Sequence, residues 1–228
     1  MKCRMMFLLG AMTSLINCGG NHNTVPTPLD STNQNQSQQT ANTNPLSAQL
    51  SQLPLGTLSP LETEGLVLMR EEEKLAHDVY LSLYELYGTP IFKNIGDSEQ
   101  THTDAVAQLL IRYGIDDPVQ NTAIGAFTND EFTYLYNGFV QSGDVSELEA
   151  LYVGIEIEEL DIYDIDRLSQ DVYDNDDILL VYSNLIKGSR NHLRAFYKQI
   201  QNNQGSYTPK YISQSLFDEI VNSPVEKN

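Results

Sequence analysis

The chain has 228 residues, enough for one domain with a sizeable core plus extensions, and its 40% hydrophobic content is that of a folded protein. With 31 acidic against 13 basic residues the formal charge is −18, which argues against a nucleic-acid partner, because phosphate binding needs clustered Lys and Arg. The two cysteines, Cys3 and Cys18, both lie near the start, so no disulfide staples the domain and it must stand on its core.

Residues 1–17 read as an export signal: Lys2 and Arg4 give a positive start, and Met5 to Ile16 is apolar but too short to span a bilayer. Cys18 follows at once, and Leu15-Ile16-Asn17-Cys18 resembles a bacterial lipobox, which makes Cys18 the expected lipidation site. Cleavage by the general signal peptidase is the alternative, and no small-x-small site precedes the polar region. Gly19 after the cysteine, rather than Asp, implies by the same resemblance an outer-membrane lipoprotein facing the periplasm or the cell surface.

From Cys18 to residue 58 the chain turns to Asn, Gln, Ser, Thr and Pro, with Asp30 its only acidic residue and no Lys or Arg. Such a stretch buries too little apolar surface to offset its chain entropy, so a disordered tether is expected. Residues 59–223 then form the helical domain, with 224–228 a tail. Ser59-Pro60-Leu61-Glu62 is a helix start, with a Ser cap, Pro at the first position and Glu at the third, opening a helix over 60–87 that stops at Gly88 and Pro90. A second helix spans 92–113 and ends at Gly114. Thr128 and Glu131 suggest a capping box for a short helix closing near Gly143, and Ser146 with Glu149 opens a longer one to about Leu168. An acidic turn over 171–177 leads into a last long helix over 176–203, and Ser213 to Val221 forms a small terminal helix. Short turns make antiparallel hairpins of the first two long helices and of the last two. The intervening thirty or so residues can cross the length of a four-helix bundle.

At the helical period each long helix carries a metal-competent side chain midway along an apolar face. Leu66, Met69, Glu73, Ala76 and Tyr80 share one stripe, and Ile95, Glu99, His102 and Val106 share the next. On the third long helix Leu151, Ile155, Glu159 and Ile162 align, with Glu156 and Glu158 to either flank. On the last, Leu185, Ser189, His192 and Phe196 align. A buried carboxylate costs several kcal/mol unless it is paired. Glu73, Glu99, His102, Glu159 and His192 therefore imply a shared cation, and carboxylate with imidazole suits iron or manganese. His77, one turn after Glu73, reads as a neighbouring or packing residue. Asp171, Asp174, Asp176 and Asp177 lack the spacing and glycine of an EF-hand.

The motifs EEEKLAHDVY at 71–80, FKNIGDSEQTH at 92–102, VGIEIEELDI at 153–162 and GSRNHLRAF at 188–196 resemble the ferritin-like superfamily, and within it an uncharacterised domain family. The resemblance covers residues 59–223. It implies an all-α, ferritin-like four-helix bundle of the rubrerythrin and bacterioferritin type, with a long crossover carrying a short helix between helices two and three. It makes Tyr80, seven residues after Glu73, a neighbour of the metal, and it aligns Glu99 and His102 with the Glu-x-x-His of those relatives and Glu159 with their third-helix Glu. Their second Glu-x-x-His is here Ser189-Arg190-Asn191-His192, so one bridging carboxylate is missing. One ion is then held by Glu73, Glu99 and His102, and a second rests on Glu159 and His192, with Glu156 or Glu158 placed to help.

The expectation is an exported, lipid-anchored protein that binds iron, mononuclear or dinuclear, or manganese, and acts in peroxide or metal handling in the cell envelope. An oxidoreductase of this kind needs a separate electron donor, since the chain has no Cys cluster of the rubredoxin type. The alternative from another class is a metal-free helical binding module that meets a protein or cell-wall partner on the envelope. The residues do not choose between catalysis and simple metal holding, nor do they fix the oligomeric state.

Overall fold

The computed structural model describes residues 45–227, so the expected export signal, the expected lipidation site Cys18 and most of the expected tether lie outside the described residues. Among these there are seven helices and no strands. They are α1 (Pro45–Leu50), α2 (Pro60–Tyr87), α3 (Pro90–Tyr113), α4 (Asp130–Gly143), α5 (Glu147–Ser169), α6 (Asp176–Asn202) and α7 (Gln214–Asn222). No helix among them is long and apolar enough to cross a membrane.

The boundaries follow the local chemistry. Ser59 Oγ accepts from the Glu62 N–H at 3.2 Å while Glu62 Oε2 accepts from the Ser59 N–H at 2.7 Å, the reciprocal box expected from the sequence. The other oxygen of Glu62 accepts from Asn175 Nδ2 at 2.7 Å and the Tyr173 N–H at 3.1 Å, so one carboxylate starts α2 and fastens the α5–α6 turn. We expect Ser59→Ala to cost about 1 kcal/mol. Glu62→Ala, which also removes the shortest of the three acceptors of the Asn175 amide and the acceptor of the Tyr173 N–H, should cost about 2–3 kcal/mol by thermal or urea unfolding. Gly88 and Gly114 end α2 and α3 in the left-handed region, each at φ 67, where a side chain would be strained. Ser146 caps α5 and Ser213 caps α7 as read from the sequence, but α4 is capped by Asn129 rather than Thr128. The Thr128 and Asn129 N–H groups are taken instead by the buried Glu71 carboxylate.

The helix α1 is a departure from the expected tether. Leu50 is buried in the cluster that also takes in Leu109 and Leu110 of α3, and Leu46 packs against the same cluster. Ser47 Oγ donates to Gln108 Oε1 at 2.7 Å, and Arg112 holds the Leu53 carbonyl at 2.7 Å. Two leucines four residues apart are enough to anchor one helical turn that composition alone reads as disordered.

Along their length α2 and α3 pack together, as do α5 and α6, while α2 also meets α5, α3 meets α6, and α4 lies on α2 and α5. The apolar core is divided. One block contains Leu75, Val79 and Leu83 of α2, Phe92 and Ile95 of α3, Leu151 and Ile155 of α5, and Leu193 and Phe196 of α6. The other contains Leu66 and Met69, Val106 and Leu109, Ile165 and Leu168, and Val181 and Leu185. The order of these blocks along the chain gives the directions: α2 and α6 run from the second block to the first, α3 and α5 from the first to the second. The connection from α3 to α5 must therefore return the full length, and residues 114–146 with α4 make that crossing.

Candidate metal centre

Between the two apolar blocks lies a belt of buried polar side chains, two from α3 and one from each of the other long helices. Glu73 of α2, Glu99 of α3 and Glu158 of α5 are each 0% exposed. His102 is almost as deeply buried, and the His192 side chain is 13% exposed. His102 Nδ1 lies 3.1 Å from Glu73 Oε2 and 2.7 Å from Glu99 Oε2. His192 Nδ1 lies 2.6 Å from Glu99 Oε1 and 3.4 Å from Glu158 Oε2. The two imidazole rings stack at 5.5 Å between centroids, interplanar 28°. Two triads result, Glu73–Glu99–His102 and Glu99–Glu158–His192, each offering donor atoms within 4.8 Å of one another. Glu99 belongs to both.

The contacts of Glu99 have hydrogen-bond lengths but not hydrogen-bond alignment. Both its oxygens, His192 Nδ1, Glu73 Oε1 and Glu158 Oε2 are buried without an aligned partner. Buried groups of this kind are normally satisfied, so five together on facing helices are a demand for something that accepts lone pairs. Three carboxylates and two imidazoles are the donor set of first-row divalent cations such as iron and manganese. The residues present therefore fit such ions, and a shared carboxylate gives room for two.

Protons are the other cations these groups can hold. Burial pushes the Glu73 carboxyl up to about 7, against the pull of His102. For Glu99 burial works in the same direction, but His102 and His192 overcome it and hold the carboxyl well below the usual range. Burial opposes the charge on both imidazoles. Even so, Glu99 and Glu73 raise His102 well above its ordinary value, and Glu99 with Glu158 pushes His192 up to about 10.

Of the five residues expected as ligands, the structure brings together Glu73, Glu99, His102 and His192. Glu159 is not among them. Its carboxylate is 0% exposed but faces the segment after α6, accepting from Tyr207 Oη at 2.7 Å and from the N–H groups of Lys210 at 2.6 Å, Tyr211 and Ile212 at 2.8 Å. It ties down the chain end. Glu158, expected only as a helper, takes the place in the cluster expected of Glu159, since one residue along a helix turns a side chain by about 100°. The stripe through Leu151, Ile155 and Ile162 admits either residue, because Glu158 stands at i+7, i+3 and i−4 from them and Glu159 at i+8, i+4 and i−3.

The expected neighbours divide in the same way. Tyr80 Oη donates to Glu158 Oε1 at 2.6 Å and lies 3.2 Å from the Gly154 carbonyl, so it orients that carboxylate within the cluster. Ser189 is buried but donates to the Leu185 carbonyl of its own helix at 3.2 Å, and Glu156 pairs with Lys210. His77 Nδ1 sits 2.8 Å from Asp78 Oδ1, outside both triads. Gly188 is a residue that hydrophobic periodicity could not single out: a Cβ there would fall inside the van der Waals envelope of His102 Nε2 and Cε1, so the glycine makes room for that ring.

Relatives share this chain's fold at high identity. The uncharacterized protein MJ0754 of Methanocaldococcus jannaschii is 52% identical over 178 residues, 78% of this chain and 96% of that protein. The crystal structure of hypothetical protein MJ0754 from Methanococcus jannaschii DSM 2661 superposes with a TM-score of 0.75, covering 76% of this chain and 99% of that one. The family model described as an uncharacterized protein domain, DUF2202, matches residues 62–224, and the chain belongs to that family.

Proposed function

We propose that this protein is a ferritin-like two-metal carboxylate protein, holding iron or manganese between its four long helices and acting on peroxide or on the metal itself. The observation that carries this reading is Glu99: one buried carboxylate shared by two triads, in which both its oxygens, Glu73 Oε1, Glu158 Oε2 and His192 Nδ1 lack aligned partners. The helix directions and the long crossover support the ferritin-like assignment, because bundles of that kind place inward Glu and Glu-x-x-His on the same elements.

Glu73, Glu99 and His102 would hold one ion, and Glu99, Glu158 and His192 the other. Bound iron or manganese supplies a redox-active Lewis acid for reactions of dioxygen or peroxide. The chain's own part is to position it. Tyr80 fixes the Glu158 carboxylate, Gly188 admits the His102 ring, and the apolar blocks above and below exclude water. The export signal and Cys18 extend the proposal to a lipoprotein of the outer membrane. There, metal or peroxide would be met outside the cytoplasm and electrons would come from a separate donor.

Anaerobic reconstitution with Fe²⁺ or Mn²⁺, followed by desalting and metal analysis, should give about two equivalents per chain. Less than about half an equivalent of any transition metal would overturn the reading. Gly188→Ala should displace the His102 ring and weaken one of the two ions by about 10–100-fold in a chelator competition, leaving the other at wild-type affinity.

A further inference from the structure

The ligand triads leave a second group of buried acids unexplained. On α5, Asp161 and Asp164 continue from Glu158 at three-residue intervals, so the three share a face and climb about 4.5 Å per step. Asp161 is 1% exposed and Asp164 2%, and Glu72 of α2, at 5%, joins them. Glu72 is hydrogen-bonded to Asp164, and Asp161 lies in the electrostatic reach of Glu73, Glu158, Glu72 and Glu99. Each of the three nonetheless keeps one fully buried oxygen without a partner: Glu72 Oε2, Asp161 Oδ2 and Asp164 Oδ2. Outside the triads the other buried acids are answered, Glu71 by the N–H groups of Thr128 and Asn129, Asp78 by Lys74, and Asp177 by Arg112. One more three-residue step reaches Arg167, whose guanidinium stands 3.4 Å from Asp164 and whose side chain is 39% exposed.

A fold that needed only stability would place apolar residues on this face, since unpaired buried carboxylates are costly. The acids do not converge tightly enough to add a third triad to the two already described. Their arrangement is a ladder, open to solvent at Arg167 and ending at the centre. We propose that Asp164, Glu72 and Asp161 form the internal route by which divalent cations pass between the surface at Arg167 and the ligand centre. The route rests on the two-ion reading above. Carboxylate oxygens suit this traffic because they exchange hard divalent ions readily, and a file of them offers a passing cation ligands that an apolar wall lacks. Arg167 stands at the mouth as the resident counter-charge that an incoming ion displaces from Asp164.

Cobalt(II) serves as the probe, because its visible absorbance reports coordination. Uptake is followed by rapid mixing of the purified protein with excess Co²⁺, and the final content by metal analysis after desalting. Asp164→Asn and Asp161→Asn should each slow uptake about tenfold while the wild-type final content is still reached. Arg167→Gln should quicken uptake. Wild-type rates in both Asn variants would overturn the route and leave the two-ion centre standing. A lower final content would overturn it too, by making the residue a ligand. A wild-type protein that takes up no Co²⁺, Fe²⁺ or Mn²⁺ would remove the centre and the route together. If Asp161→Asn fails to fold, Asp164→Asn, two steps from the centre, carries the same test.

Discussion

Replacing Glu99 by alanine is expected to empty both metal positions at once, taking bound metal from about two equivalents to near zero. The reason is the sharing: Glu99 Oε2 meets His102 and Glu99 Oε1 meets His192, so no other single side chain belongs to both triads. Glu73→Ala and Glu158→Ala should behave differently, each leaving about one equivalent, because each belongs to one triad only. The measurement is metal content after anaerobic loading, with thermal unfolding as the check on the fold. The same positions separate the proposal from a metal-free binding module. For such a module, replacing Glu73 and His102 by leucine removes a buried polar pair with no task, a change that is often neutral or stabilising by about 1–4 kcal/mol. For a metal protein the substitution lowers the melting temperature of the loaded form, since the binding energy that favoured the native state is gone.

The second large effect is a reversal of pH dependence between chelator-treated and loaded protein. Glu73 has its folded value raised to about 7 from 4.5, so the native state binds its proton more tightly than the unfolded chain does. Its contribution to stability is complete below about 4.5 and is lost as pH rises through 7. His192, raised to about 10 from 6.5, has the same sign: its contribution is full below 6.5 and is lost as pH rises through 10. Glu99, held below its ordinary value, has the opposite sign and matters only on the acid side, where its contribution is lost as pH falls below the usual carboxylate range. Chelator-treated protein should thus be most stable in mild acid and lose stability steadily from pH 5 to 9. Metal must displace those protons, so its stabilising effect should be small at pH 5 and reach about 3–4 kcal/mol at pH 8 with free metal well above the dissociation constant. Melting curves with and without Mn²⁺ at the two pH values test this. Parallel curves would contradict it.

Much of this was legible in the residues, and the exceptions have physical causes. The span of α2 follows from the Ser59 box and Gly88, and α3, α5, α6 and α7 end within a few residues of the positions their caps and breakers indicate. Glu73, Glu99, His102 and His192 could be found because α2, α3 and α6 carry polar residues off their apolar stripe, which makes the stripe and its polar interruption visible even where, as over Met69 to Ala76, the whole turn is buried. The helix α5 carries apolar residues nearly all round. It is wrapped by α4, α2, α6 and the segment at 207–212, so Glu158, Glu159, Asp161 and Asp164 are all buried, and periodicity alone does not say which faces the centre. The donors that claim Glu159 come from a loop some fifty residues further on, a pairing that no local pattern encodes. Glu72 lies off the core stripe of α2 and is buried all the same, hydrogen-bonded to Asp164 of α5, a partner that no local pattern encodes. The short helix α1 was hidden by the polar composition around Leu46 and Leu50.

The separation of the core into two blocks has a consequence for how such a protein changes over time. Hydrophobic burial on each side of the belt supplies the cohesion of the helices independently of what the belt contains. Substitutions at the waist can then accumulate without unravelling the ends. An inherited scaffold of this kind is able to change the chemistry of its centre while its outline stays the same.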